Sequence, residues 1–239
     1  MSLLVRTWNV YHGRTYPKSG RTYLERMVRL ISLDAPAAVC LQEVPIWALG
    51  KLERWSGMQP VWAVTVHNFL GPLARFITNV DPVRVRFSAA GQANVVLLNP
   101  HFEVEDHDVF VMNPQVSPWD VFLGGRQRRV CQVVRMDIDG EALVFANLHA
   151  TNNAEVAKVE VGLAADFVGD EARVVLCGDF NVPRYAVHEF SPPIKGIDQI
   201  LVRGLEFVRP PAPWPDERRR MGTHLLSDHA PVEAELAWT

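Results

Sequence analysis

Apolar and polar positions along this chain follow two different periods. Short apolar runs bounded by turn residues predict strands in "LLVRTW", "AAVCLQE", "ARVVLCGDF", "IDQILV" and "APVEAELAW". Further strands are expected at 61–66, 93–98 and 103–111. In "TYLERMVRLISL" the period lengthens, and Leu24, Met27, Val28 and Ile31 share one helical face. Thr22 and Glu25 stand at capping-box spacing before it. "IWALGKLERW" predicts a second helix. Residues 153–168 predict a third, with Val156, Val159, Leu163 and Phe167 turned inward and Asn152 and Glu155 at its start. "RVCQVVRMDIDGEALVFANLH" predicts a hairpin turning at Asp139-Gly140.

A weak internal repeat overlies this alternation. "VRTWNVYH" is followed by a helix and then "VCLQE", and "LVFANLH" by a helix and then "VLCGD". Asn9 to Glu43 and Asn147 to Asp179 span nearly equal lengths. Such a repeat implies two similar half-domains packed face to face, each delivering polar strand ends to one rim. Two segments, 113–129 and 209–224, lack periodicity and are rich in Pro, Gly and Arg.

Composition narrows the class. The chain has 239 residues, 48% of them hydrophobic, with a formal net charge of −3. One domain over residues 1–239 with a substantial core is expected, and no global basic field points to nucleic acid. No apolar stretch approaches a membrane span or a signal-peptide core. Cys40, Cys131 and Cys177 form no C-x-x-C pair, which suits reduced core thiols and a cytoplasmic protein. A monomer is expected.

The chemistry lies in the polar residues that end apolar strands: Asn9, Glu43, His149, Asp179, Asn181, Asp198, Asp228 and His229. Clustered carboxylates cannot all stay ionised without a compensating cation. Mostly oxygen donors favour Mg²⁺ or Mn²⁺ over zinc, whose Cys/His grouping is absent. No Walker-type glycine loop is present, which argues against nucleotide triphosphate hydrolysis of that kind. A hard ion beside two histidines and two amides suits water attack on a phosphate ester.

The ordered series "TWNVYHG", "LQE" at 41–43, "NLH" at 147–149, "GDFN" at 178–181, "IDQI" at 197–200 and "SDHAPV" at 227–232 resembles the endonuclease/exonuclease/phosphatase superfamily. The motifs cover nearly the whole chain. That resemblance implies a DNase I-like fold: a four-layered α/β sandwich, two central, mostly antiparallel sheets flanked by helices. It implies Glu43 as principal metal ligand, with Asn9 and Asp228 as further or water-mediated ligands. It implies that Asp179 positions or deprotonates water, and that Asn181 holds that water or a phosphate oxygen. His229 would contact phosphate and be oriented by Asp198, while His149 would act near the leaving group. A phosphate-gripping Arg is expected from Arg126, Arg128 or Arg129, with Arg129 preferred.

The expected activity is Mg²⁺/Mn²⁺-dependent hydrolysis of a phosphodiester, with DNA or another nucleic acid as the first substrate reading. Sphingomyelinase-like or phosphoinositide phosphatase-like activity is the alternative, and a non-catalytic binding member of the fold stands behind both. Arg218, Arg219 and Arg220 read as a solvated loop or, more sharply, as phosphate contacts with Trp214 or Trp119 stacking on a base. His12 reads as a local hydrogen-bonding residue. His67, His101, His107, His188 and His224 show no spacing signature. Asn147 pins the loop before His149 or touches substrate, and Asn94 ends a strand or reaches the rim.

Overall fold

The computed structural model describes residues 2–66, 91–116 and 127–239. His67, Trp119 and Arg126 therefore lie outside the described residues. Strands β1 (Ser2–Asn9), β3 (Ala38–Pro45), β4 (Gln59–Val66), β5 (Gln92–Leu98), β11 (Leu205–Pro213) and β14 (Val232–Trp238) form one sheet in the order β11-β14-β1-β3-β5-β4. Strands β6 (Glu103–Val111), β7 (Val130–Ile138), β8 (Glu141–His149), β9 (Val174–Asp179) and β10 (Asp198–Arg203) form the second, ordered β10-β9-β8-β7-β6. Short strands β2 (Thr15–Tyr16), β12 (Arg220–Met221) and β13 (His224–Leu226) make a three-stranded sheet. Helices α1 (Leu24–Ile31) and α2 (Leu52–Ser56) belong to the first half and α3 (Ala154–Phe167) to the second.

Three apolar spaces separate four layers. Side chains alternate across each strand, so adjacent residues go to different spaces. Val5, Cys40 and Val96 meet Val134, Phe145 and Cys177 between the sheets. Trp8, Val39 and Leu41 pack instead against Leu24, Met27 and Ile31 of α1. Val144, Ala146 and Leu176 pack against Ala157, Val161 and Ala164 of α3. Central strands buried on both faces have near-continuous apolar sequences, which is what the strand runs show. Among the described residues the helical cover is modest, with α1 and α2 on one side and α3 on the other.

The repeat seen in sequence is present in the topology. Parallel β1 and β3 are joined through α1, as parallel β8 and β9 are through α3. Each pair is flanked by antiparallel neighbours: β14 and β5 in one sheet, β7 and β10 in the other.

Four local expectations need correction. Helix α1 begins at Leu24 with Tyr23 at its cap and no side-chain cap bond, and Thr22 Oγ1 is buried without a partner. Thr22 lies one residue too early to cap. Helix α3 is capped by Asn153, not Asn152; its side chain accepts from the backbone N–H of Glu155 and Val156. The inward face of α3 is also different. Ala157, Glu160, Val161 and Ala164 are buried, whereas Val156, Val159 and Leu163 are exposed. Small alanines let the helix approach its sheet closely, and buried Glu160 has a polar task, so the true face is the less apolar one. Finally, the aperiodic stretch 209–224 is largely structured. It contains the bulged end of β11, a 3-10 turn at Asp216–Arg219, and β12.

The two sheets are joined by hydrogen bonds as well as by apolar contact. Asn147 on β8, fully buried, donates to the carbonyls of Leu41 and Val95 at 3.1 Å each and accepts from Gln42 Nε2 at 2.8 Å. Asn94 reaches across to the Val130 carbonyl at 3.2 Å, and Gln132 to the Val61 carbonyl at 3.0 Å. Asn147 thus fastens sheets, and Asn94 faces the second sheet. Among the described residues no helix is long and apolar enough to cross a membrane.

Two stability outcomes follow from these contacts. Replacing Asn147 with Ala removes its two donors from the Leu41 and Val95 carbonyls and one of the acceptors of Gln42 Nε2, and should cost about 3 kcal/mol in urea unfolding. On β14, Glu233 is fixed by Arg6 Nε at 2.7 Å and Trp214 Nε1 at 3.2 Å. Burial raises the Glu233 pKa, but Arg6 and then Arg218 outweigh it and hold the carboxyl below its ordinary value. The charge therefore contributes stability above the ordinary Glu pKa, and that contribution is lost as pH falls through the lower folded value. Glu233→Gln should be destabilising at pH 7, with the difference from wild type shrinking below pH 4.5; thermal unfolding across pH reads this.

Candidate active site

Five strand ends and one loop converge at the same end of the two sheets. The parallel register places Asn9 beside Gln42 and His149 beside Asp179. The antiparallel pairing of β9 and β10 sets Asp198 directly opposite Asp179. Glu43 arrives through an irregularity: the β3–β5 register shifts between Leu41 and Val44, and Glu43 has a φ of +58°. Such a bulge breaks the in-out alternation and re-aims a side chain. Gly178 stands one residue before Asp179. It lies inside β9 with a φ of +134°, and a Cβ there would stand 2.0 Å from the Leu148 carbonyl oxygen. Its role is to let β8 and β9 approach just before the ends that carry His149 and Asp179.

Asn9 joins the halves. Its Nδ2 donates to Asp179 Oδ2 at 3.1 Å and to Glu43 Oε1 at 3.5 Å, while its Oδ1 accepts from the Tyr11 N–H at 3.0 Å. The amide nitrogen, not the oxygen, faces the carboxylates. His12 Nε2 lies 3.1 Å from Glu43 Oε2. Burial lowers the His12 pKa, and the charges of Glu43 and Asp228 pull the other way. His12 is therefore a contact of this site, which its isolated position in sequence did not signal.

Asp179 is buried, with Oδ1 accepting from the Asn181 N–H at 3.0 Å. Burial and then repulsion from Asp198 raise its pKa to about 7. His229 Nδ1 lies 2.8 Å from Asp198 Oδ2, and its Nε2 lies 3.8 Å from Asp179 Oδ2. Burial opposes charge on His229, but the Asp198 hydrogen bond and charge win and raise its pKa to about 9. Ligand atoms of Asp179, Asp198 and His229 fall within 4.8 Å of one another. Asn181, with a φ of +51°, commits its Nδ2 to the Ala150 carbonyl at 2.8 Å.

His149 Nε2 lies 3.5 Å from Asp179 Oδ2. Burial, then the charge of Arg129, hold its pKa well below the ordinary value. Arg129 is buried, and its guanidinium has no hydrogen bond or ion pair among the described residues. Burial lowers its pKa; Glu43, Glu160 and Asp179 act on it as charges from further off. Arg128 is exposed. Arg129 lines a cavity of about 490 Å³ with Gln115, Thr151 and Asn152. Glu160 fixes the near wall by accepting from Thr151 N and Oγ1 at 2.6 and 2.8 Å.

The loop Ser227–His229 is held from below. Ser227 Oγ donates to the Asn9 carbonyl at 2.7 Å and accepts from the His229 N–H at 3.1 Å. Trp8 Nε1 donates to the His229 carbonyl at 2.9 Å. Arg219, buried, donates to the carbonyls of Leu226, Ser227 and His229 at 3.2, 2.9 and 3.3 Å and pairs with Asp216 at 2.7 Å. Trp214 is buried too, under Arg218 at 3.6 Å and bonded to Glu233. Neither Arg219 nor Trp214 is available to a nucleic acid, so neither the solvated-loop nor the stacking expectation holds for them. The triple arginine gave no sign of this, because only the fold turns its middle member inward.

The structure brings Asn9, Glu43, His149, Asp179, Asn181, Asp198, His229 and Arg129 to one rim. Asp228, exposed, joins from the adjoining loop within electrostatic range of His12 and His229. The other described histidines are occupied elsewhere or exposed: His107 contacts Gln132, His224 contacts the Pro17 carbonyl, and His188 is solvent-facing.

Known proteins share this fold. The endonuclease/exonuclease/phosphatase family profile matches residues 7–229. No curated protein sequence matches. A solved endonuclease/exonuclease/phosphatase from Beutenbergia cavernae superposes with a TM-score of 0.71 at 19% identity, covering 99% of this chain and 72% of that one. The mannosyl-6-phosphatase Bt3783 of Bacteroides thetaiotaomicron gives 0.65 at 14% identity, covering 99% and 100%. Truncated Caenorhabditis elegans TDP2 gives 0.62 at 15% identity, covering 100% and 98%. At these identities the likeness establishes the fold.

Arg219→Ala removes three bonds to loop carbonyls and strands Asp216. It should cost about 3 kcal/mol in urea unfolding, with backbone amide exchange accelerated first at 226–229.

Proposed function

The chain belongs to the endonuclease/exonuclease/phosphatase family, and on that premise we propose that it is a divalent-metal-dependent phosphoesterase cleaving phosphodiesters. Enzymes of this family typically hydrolyse phosphoester bonds and generally use divalent metals. The observation that carries the proposal is the union of both sheets at one rim: Asp179 and Asp198 from the second sheet, Asn9 and Glu43 from the first, and His229 from the loop that leads into β14 of the first.

The donor set fits a hard cation. Carboxylates dominate, and the buried Asp179–Asp198 pair lies side by side without a neutralising lysine or arginine bonded to either among the described residues. Glu43 and Asp228 would hold the ion, with Asn9 beside them keeping Glu43 in place. When bound, Mg²⁺ or Mn²⁺ neutralises phosphoryl charge. The chain's own groups do the rest. Asp179 takes the proton of a water positioned between it and Asn181, whose Oδ1 remains after Nδ2 is committed to Ala150. His229, fixed through Nδ1 by Asp198, points Nε2 toward the same space and donates to a phosphoryl oxygen. Arg129 supplies a second cationic contact, and His149 stands beside the leaving oxygen. Every group comes from one chain, from Asn9 to His229, so a monomer and a single domain over 1–239 suffice.

We read the diester as DNA or another nucleic acid first. A phosphomonoester of a sugar, in place of a diester, is the second reading, favoured by Gln115, Thr151 and Asn152 around the cavity beside Arg129. Hydrolysis of bis-p-nitrophenyl phosphate should require Mg²⁺ or Mn²⁺ and stop with EDTA. Glu43→Ala and His229→Ala should each lower kcat about a hundredfold or more. Full activity in either variant would remove that residue from the mechanism. An oligonucleotide and a hexose 6-phosphate, assayed in parallel, decide between the two substrate readings.

A further inference from the structure

The segment after Asn9 holds an unused pair of cations. Tyr11, His12 and Gly13 have φ values of +47°, +54° and +80°, three left-handed residues in a row. Non-glycine residues in this region cost roughly 1–3 kcal/mol each and persist only where surrounding contacts impose them. Here the contacts are Tyr11 N–H to Asn9 Oδ1 at 3.0 Å, Gly13 N–H to the Val10 carbonyl at 2.7 Å, and Arg14 N–H to the Tyr11 carbonyl at 2.9 Å. A Cβ at Gly13 would meet Thr22 Oγ1 at 2.5 Å, so the turn admits no bulk there. The result is a fixed ledge that sends His12 to Glu43 and keeps the Arg14 charge within electrostatic range of His12.

Two cations rest on that ring. The Arg14 guanidinium lies 5.5 Å from its centroid and the Lys18 ammonium 5.6 Å. Neither forms an ion pair with any described residue, and Arg14 Nε is buried without a partner. Cation–π contact orients both without neutralising them. Positive charge left unpaired beside a carboxylate-rich centre is suited to an anion that the centre itself does not hold. A small monoester or a single diester brings no such second anion, whereas a nucleic-acid strand brings a neighbouring phosphate. Tyr16 is the one large exposed apolar side chain in residues 10–22, too little to enter a bilayer.

We propose that Arg14 and Lys18, held on Tyr11, form a subsite for the phosphate adjacent to the scissile one, and that the substrate is a nucleic-acid strand. This rests on the phosphoesterase reading above and names its substrate class. The test is fluorescence anisotropy of a labelled single-stranded 12-mer with the Asp179→Asn protein in Mg²⁺, across a salt series. Adding Arg14→Ala and Lys18→Ala should weaken binding about tenfold and reduce the salt slope by roughly 1 to 2. Lys18→Glu, at an exposed position, should do the same in part and keeps the test valid if the Arg14 change impairs folding. Unchanged affinity and slope, or no binding of the 12-mer by the Asp179→Asn protein, would overturn the subsite. So would loss of binding to phosphoinositide-containing vesicles with oligonucleotide binding retained. Failure of the phosphoesterase reading shows separately, as no metal-dependent hydrolysis of bis-p-nitrophenyl phosphate by the wild-type protein.

Discussion

The Asn147 amide, buried between the two sheets, is the contact on which the site's geometry depends. It reaches from β8 to the carbonyls of Leu41 and Val95 and accepts from Gln42. Two residues after Asn147 stands His149, and the residue after Gln42 is Glu43. One amide therefore sets the distance between halves that carry different parts of the chemistry. An apolar contact at that place would allow the sheets to slide; a buried amide with every partner in place does not, because each lost bond leaves a desolvated group behind. Asn9 repeats the device one layer nearer solvent, joining Glu43 to Asp179.

Backbone strain is concentrated at this rim. Tyr11, His12, Glu43, Asn181 and Ser227 all have positive φ, and each adjoins or supplies a site group. Extended strands end with side chains pointing alternately up and down, so several such ends cannot all face one space without local reversal. The bulge at Glu43 and the left-handed Asn181 perform that reversal, and the packed sheets behind them hold it. Arg219 does for the Ser227–His229 loop what the sheets do for the strand ends, replacing a missing ladder with three carbonyl contacts.

The α3 helix shows where pattern reading goes astray. Val156, Val159 and Leu163 form the more apolar stripe and lie outside, while Ala157, Glu160, Val161 and Ala164 lie inside. Hydrophobic periodicity weighs side-chain size, but close helix–sheet packing selects small residues. A buried carboxylate further lowers the apparent apolarity of the inner face. Glu160 belongs there because Thr151, at the turn after His149, supplies both hydrogens it accepts. The readings of Arg219 and Trp214 failed for the converse reason: polar or aromatic residues in a proline-rich stretch look solvent-facing until Trp214 is set against Glu233 of β14 and Arg219 against the Leu226, Ser227 and His229 carbonyls.

Legible in the sequence by itself were the strand–helix–strand succession of each half and, through the family resemblance, the four layers and most of the rim residues. Strand and helix periods are local, and a polar residue ending an apolar run is visible without its neighbours. The motif order from Asn9 to His229 was equally legible, as was the hairpin at Asp139-Gly140. Only the tertiary structure decided which of those groups touch. His12 against Glu43 and Tyr11 carrying Arg14 and Lys18 both depend on backbone reversals and on how loops meet strands. Contacts of that kind are set by how two sheets and their loops pack together, and no period along a single strand encodes them.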